Sequence, residues 1–246
     1  MAGAPGEMHI DPMSQFMVKP LFTDAIGLFS VTNSTLWMAV VVGAATLLLV
    51  GAKPSRDMVP TRLQSVAELL YGFVRQMVVD IAGEKAMAYF PYIFTLFIFI
   101  LMSNLMGMLP YAFTVTSHIA VTGVLALMVF VTVTAIGFIK HGAHFLSLFW
   151  PKDAPAPLRP VLAVIELISY FVRPISHSIR LGANMLAGHA LMKVFAGFIA
   201  PLGVLGAVPM AAMVGFTGFE LLVAVIQAYV FTILTCVYLN DALNLH

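Results

Sequence analysis

Long apolar runs separated by short polar punctuation set the pattern of this chain. No charged residue stands between Asp24 and Lys53, and Leu36 to Val50 is almost wholly apolar, enough for one membrane-spanning helix with Thr32, Asn33 and Ser34 at its wet end. Residues 53–85 read differently. Lys53, Arg56, Arg62, Arg75 and Lys85 accompany Leu63, Val66, Leu70, Phe73, Val74 and Met77 at helical spacing. That spacing predicts an amphipathic helix too charged to span, lying on the membrane surface or, as a cytosolic helix, on a partner. Residues 86–139 carry no Asp, Glu, Lys or Arg, and Met108-Leu109-Pro110-Tyr111 divides them into a hairpin of two spanning helices joined by a tight turn. Lys140, His141, His144, Lys152, Asp153, Arg159 and four prolines make 140–160 a loop by composition. Two long helices follow, about 161–199 and 207–240, parted by Ala200-Pro201-Leu202-Gly203.

Composition turns this pattern into a class. Of 246 residues 61% are hydrophobic and 9% charged, where soluble domains carry about 25% charged residues. The expectation is an all-α polytopic membrane protein forming one integral unit over 1–246. It has five transmembrane helices and a membrane-surface amphipathic helix, and its last two helices (161–246) form a long, steeply tilted antiparallel hairpin. Residues 1–24, which lack the basic start and apolar core of a signal peptide, read as a retained extramembrane tail ahead of a first span in 25–52. Lysine and arginine concentrate in 53–85 and 140–160 and are missing from the turns near 110 and 204. Those basic segments are expected on the cytoplasmic side, with the N-terminus outside and the C-terminus inside.

Candidate chemistry is sparse. His141 and His144 lack further ligands for a metal, the single Cys236 excludes an intramolecular disulfide, and a net charge of +1 gives nothing to attract nucleic acid. No G-x-x-x-x-G-K-[ST] loop is present, so no nucleotide site of that type is expected, and no cofactor is called for.

What stands out is polarity inside the apolar helices. Arg180 lies in Ser176 to Gly188, S-H-S-I-R-L-G-A-N-M-L-A-G, and a guanidinium in mid-bilayer costs about 2.5–3.5 kcal/mol on insertion scales. Glu166, Arg173 and Arg180 are spaced by seven and share one stripe, with Ser169, Ser176 and Asn184 beside it. His189 falls on the opposite side of that helix. Glu220 and Gln227 share a face of the last helix, and antiparallel register sets His189 level with Glu220 and Arg180 level with Gln227. Arg180 is about 24 residues, roughly 36 Å of helix, from the turn, while half the hydrocarbon thickness is about 15 Å, so the hairpin must tilt. Ser103, Asn104, Thr116, Ser117 and His118 gather near the first hairpin's turn, either to satisfy its backbone or to line a watery path.

These residues, in this order, resemble the a subunit of the F-type rotary ATP synthases. R-L-G-A-N-M-L-A-G-H carries that family's arginine at Arg180 and its asparagine at Asn184, and I-Q-A-Y-V-F-T-I-L-T carries its glutamine at Gln227. Glu166 and Arg173 match a carboxylate and a basic residue on the cytoplasmic side, and S-N-L-M-G-M-L-P-Y looks like the family's first hairpin. Many bacterial members have a carboxylate at the His189 position and a histidine at the Glu220 position; here the two are exchanged.

The resemblance implies a non-catalytic stator subunit in a bacterial inner membrane, beside the rotating c-ring and in contact with peripheral-stalk b-type subunits, with membrane lipid and protons as its other partners. It also implies an outer half-channel of His189 and Glu220, with Asn104 and His118 at its entry, and a cytoplasmic half-channel of Glu166, Ser169, Arg173 and Ser176. Arg180 would separate the two. Two rival readings stay open on the residues alone. One is a secondary transporter with Arg180 as an anion anchor, disfavoured by the missing internal repeat. The other is a scaffold whose polar stripe docks another subunit.

Overall fold

The computed structural model describes residues 17–18, 20, 31–52, 61–109, 112–150 and 157–244. The expected tail over 1–24 lies almost wholly outside them, as do Lys53, Arg56, Pro110, Tyr111, Lys152 and Asp153. Six α-helices carry the fold: α1 (Asn33–Gly51), α2 (Arg62–Ala82), α3 (Phe90–Gly107), α4 (Ile119–His141), α5 (Arg159–Ile199) and α6 (Ala207–Leu243). Five helical segments are long and apolar enough to cross a membrane, and α2 is not among them. The described chain is an all-α polytopic membrane protein, as the apolar pattern predicts.

Local signals explain where the helices begin and end. Thr32 and Thr61 accept from the backbone N–H groups of Thr35 and Gln64, which caps α1 and α2. Gly83 (φ 74°) and Gly142 (φ 56°) stop α2 and α4 in a left-handed conformation that side chains disfavour. A further Gly, at 203 (φ 54°), turns the chain between α5 and α6. Inside α5, Pro174 has no N–H to give the Tyr170 carbonyl.

Burial sorts the helices by neighbourhood. Along α3, Phe90, Ile93, Leu96, Phe97, Ile100 and Leu101 are buried, as befits a helix that is apolar all round and sits at the centre. Val74, Met77 and Val78 of α2, Val129 of α4, Leu181 of α5 and Phe231 of α6 join the same core. By contrast α1 buries only Ser34 and Val41. On α5 and α6, large apolar side chains stay exposed from Val161 to Phe198 and from Val208 to Val237. These two helices have 41 and 37 residues, about 62 and 55 Å at 1.5 Å per residue. A hydrocarbon layer of about 30 Å covers those exposed rows only if the pair is steeply inclined.

Two connections differ from the sequence expectation. The turn of the first hairpin is not tight: it occupies the residues between Gly107 and Ile119 and folds inward, burying Val115, Thr116 and Ser117. Thr116 Oγ1 donates to Asn104 Oδ1 (2.8 Å), which holds the loop against α3. The expected loop after α4 contains a 3-10 segment, Gly142–Phe149, with Phe145 buried. Composition marked this stretch by its charges and prolines, but Phe145 is taken up by the space that Gly137 leaves. A Cβ on Gly137 would come within 2.3 Å of the Phe145 ring.

Gly137→Ala should therefore expel Phe145 and destabilise the α4–α5 region by about 1–3 kcal/mol, the usual cost of overpacking. Thermal unfolding of the detergent-solubilised protein checks this. A melting temperature equal to that of the parent would contradict the packing described.

Candidate functional site

The antiparallel pair α5 and α6 holds most of the polar side chains that the sequence placed in apolar surroundings; the rest lie on α3 and in the loop after it. One face of α5 is exposed and carries Ser169, Ser176, Arg180 and Asn184 among Ile165, Ile168, Val172, Ile175 and Ile179. Within the described residues Arg180 makes no hydrogen bond and no ion pair. A permanently charged group thus stands on an apolar surface with no ion partner among the described residues.

One turn further along, Asn184 Nδ2 donates to Gln227 Oε1 at 2.9 Å. Register therefore places Gln227 against Asn184, one turn beyond the Arg180 level expected from simple antiparallel counting. Gln227 is itself buried.

His189 and Glu220 meet as the register predicts, with Nδ1 2.5 Å from Glu220 Oε1 and both residues buried. His189 Nε2 lies 2.9 Å from the carbonyl of Gly107 at the end of α3, and Nδ1 also lies 3.0 Å from Met185 O. A carbonyl only accepts, so a neutral ring satisfies one of these sides and a protonated ring satisfies both. Glu220 Oε2 is buried without a hydrogen-bond partner among the described residues.

Glycines let these groups approach. A Cβ on Gly188 would stand 2.7 Å from Glu220 Oε1, and one on Gly107 would stand 2.8 Å from the Thr114 methyl. At Gly188 α5 closes on α6, and at Gly107 the loop after α3 closes on the end of that helix.

Two voids reach the pair. A vestibule of about 750 Å³ is walled by Asn33 and Trp37 of α1, Gly107, His189 and Lys193 of α5, and Thr217 of α6, among others. A second void of about 410 Å³, between α5 and α6, is lined by Asn184, Ala187, Gly188, Phe219 and Glu220. His189 belongs to the first and Glu220 to the second, so the pair is a polar link between them.

Asn104 and His118 stand beside the vestibule and not in its described wall. Asn104 is fully buried, donating to Ala224 O (3.1 Å) and accepting from Thr116. His118 stacks on Phe113, which does line the vestibule. Burial lowers the pKa of His118 below the ordinary imidazole value, and its Nε2 has no partner among the described residues.

At the other end of α5, Arg173 Nη1 donates to Asp241 Oδ2 of α6 at 2.8 Å, and Nη2 lies 3.6 Å from Glu166 Oε1. Sequence reasoning missed Asp241 and Gly107. Asp241 had a legible signal, since antiparallel register brings it near Arg173; Gly107 had none, because what it admits is Thr114 of the loop that folds back on it. Gly188 was legible: with Gly182, Ala183, Ala187 and Ala190 it makes a small-residue surface open to a close helix approach, and Glu220 of α6 takes that place. Among the described residues no group of three or more metal-ligating side chains occurs.

Comparison with known proteins places this geometry. The pattern of the ATP synthase A chain family matches residues 34–240. The chain belongs to that family. It is 60% identical over 236 residues to the ATP synthase subunit a of Dinoroseobacter shibae, covering 96% of this chain and 95% of the relative. The corresponding protein of Rhodobacter capsulatus is 60% identical over 228 residues, 88% of this chain and 94% of its own length, and that of Paracoccus denitrificans is 57% identical over 240 residues, 97% and 96%. Membership makes the chain a multi-pass membrane subunit with a stator role in an ATP synthase complex, working in ATP synthesis and proton transport.

Gly188→Ala should displace the Glu220 carboxylate from His189 and lower ATP-driven proton pumping by the assembled complex roughly ten- to a hundredfold, the penalty for about 1 Å of misplacement. Pumping at the parental rate, with assembly matched, would show that the contact tolerates the methyl group.

Proposed function

We propose that this subunit provides two proton half-channels beside the c-ring, with Arg180 as the barrier that obliges protons to travel on the ring. The observation that carries this reading is Arg180 itself, exposed on an apolar face of a long apolar helix with no anion paired to it among the described residues. Its cost falls if a neighbouring subunit brings a carboxylate to it, and a ring of carboxylate-bearing helices does so repeatedly.

The outer path begins in the vestibule. With the N-terminus outside, as the basic loops favour, the vestibule opens toward the periplasm of a bacterial inner membrane. A proton reaching His189 passes to Glu220 across their 2.5 Å contact, and from Glu220 it enters the void shared with Asn184, which faces the ring. Asn104 and His118 flank this entry, and Asn104 fixes α6 in depth through Ala224 O. Asn184 and Gln227 hold the two helices together between the Glu220 and Arg180 levels.

Arg180 acts by charge alone, because it does not deprotonate. Within about 4–6 Å it favours the ionised form of a ring carboxylate. Protonation from the outer path neutralises that carboxylate, which then leaves the guanidinium and enters lipid, where desolvation disfavours the anion. After nearly a full turn it gives its proton to the cytoplasmic half-channel, whose walls carry Ser176, Ser169 and Glu166 with the fixed charge of Arg173 beside them. A proton falling through 100 mV yields about 2.3 kcal/mol, so several are accumulated for each ATP. Peripheral-stalk b-type subunits hold this chain still while the ring turns.

The test is passive proton leak and driven rotation in reconstituted complexes lacking the catalytic head. With equal assembly, Arg180→Ala is expected to lose driven rotation and to alter the leak. Coupled flow at the parental level would end this reading.

A further inference from the structure

Arg173 stands two turns from Arg180 on the same stripe of α5, roughly 10 Å along the axis. If protons leave by this face, a second fixed cation there is an obstacle: it repels them at the mouth and competes with Arg180 for the ring carboxylate. The chain answers this with a residue from its far end. Asp241, in the last turn of α6, takes the 2.8 Å hydrogen bond from Arg173 Nη1, while Glu166 lies 3.6 Å from Nη2. The guanidinium carbon is 5.8 Å from the Tyr170 ring centroid and 5.1 Å from that of Tyr238. Side-chain exposure is 24% for Arg173 against 40% for Glu166 and 36% for Asp241. The cation is thus the more enclosed member, and solvent meets the two carboxylates first.

We propose that Asp241 is a positioning residue for proton exchange at the cytoplasmic mouth. It ties Arg173 across to α6 and, with Glu166, leaves one cation among two anions, so the mouth is net anionic. This rests on the half-channel reading above. Without Asp241 the cluster is neutral, and Arg173 keeps only its longer contact on its own helix, from which its stem can lean toward Ser176 and Arg180.

Partly exposed ion pairs contribute little to stability, and α5 and α6 are joined independently by His189–Glu220, Asn184–Gln227 and the bond between His177 Nε2 and Phe231 O (3.1 Å). The role assigned to Asp241 is therefore electrostatic. Other ionisable groups around the cluster are Tyr170, His177 and Arg180 of α5, Tyr238 of α6, and His141 at the end of α4, whose Nε2 lies 3.3 Å from Leu243 O. The segment Glu84–Tyr89, which packs on α6, adds exposed Glu84 and Lys85.

The experiment is ATP-driven proton uptake by the whole reconstituted complex as a function of pH on the cytoplasmic side. An anionic mouth matters most where protons are scarce. Asp241→Asn should therefore assemble normally but pump several-fold more slowly at alkaline pH, with a smaller deficit in acid; electrostatic focusing changes on-rates by tenfold or more. Asp241→Glu should restore the profile, and Arg173→Gln combined with Asp241→Asn should recover most of the loss by removing the unmasked cation.

An unshifted profile in Asp241→Asn, or no recovery in the double variant, overturns the proposal. If Asp241→Asn assembles poorly, the double variant still decides it, because recovery requires Arg173 to be the cause. Arg180→Ala in the same assay separates the two readings: if it uncouples while Asp241→Asn does not shift, only the role of Asp241 fails, and if it pumps normally, the half-channel reading fails with it.

Discussion

A guanidinium that cannot shed its proton, carried on the apolar face of a spanning helix, is the constraint to which the rest of this subunit answers. Several other polar groups of these helices have partners within the described chain. Asn184 has Gln227, Asn104 has Thr116 and the Ala224 carbonyl, His189 has Glu220, and Arg173 has two carboxylates. Arg180 has none of these, although it sits between Asn184 and Arg173 on the same helix. Among the described residues its charge goes unmatched, which is what the proposed contact with a neighbouring subunit would supply.

Close approach is what makes the pairing possible. Glu220 comes up to His189 because Gly188 has no side chain in the way. α3 is the shared wall, and its C-terminal carbonyl at Gly107 helps fix the histidine ring, while the space beside Gly107 admits Thr114 of the loop. Gly188, His189 and Glu220 therefore form one packed unit, in which a change of a single methyl group is felt at the carboxylate.

The five candidate spans, and the exclusion of α2 from them, were legible because hydropathy over about 20 residues is a local property of the chain. The His189–Glu220 pair was legible for a different reason: a single antiparallel hairpin fixes depth, and two helices with a known turn suffice to align them. The same counting slipped by one turn at Gln227, since it ignores how far each helix rotates and slides as it packs. The inward fold of the first hairpin's loop and the burial of Phe145 were not legible. Both depend on contacts to a separate element, Asn104 of α3 in one case and Gly137 of α4 in the other, and local composition pointed to turns and solvent. Asp241 lay within reach of the register argument but looked like an ordinary charge near the end of the chain.

The vestibule has a consequence for voltage as well as for access. About 750 Å³ is space for on the order of twenty waters at ~30 Å³ each, enough for the liquid inside to screen as a medium and not as isolated molecules. On the half-channel reading proposed above, such a medium would carry the electrical potential of its own side inward to His189. The membrane potential would then fall across the thinner insulating stretch between that histidine and the cytoplasmic mouth. The field at Arg180 would be correspondingly steeper than the same voltage spread over a full ~30 Å of hydrocarbon, and a charge displaced there by a few ångströms would do more electrical work than its small movement suggests.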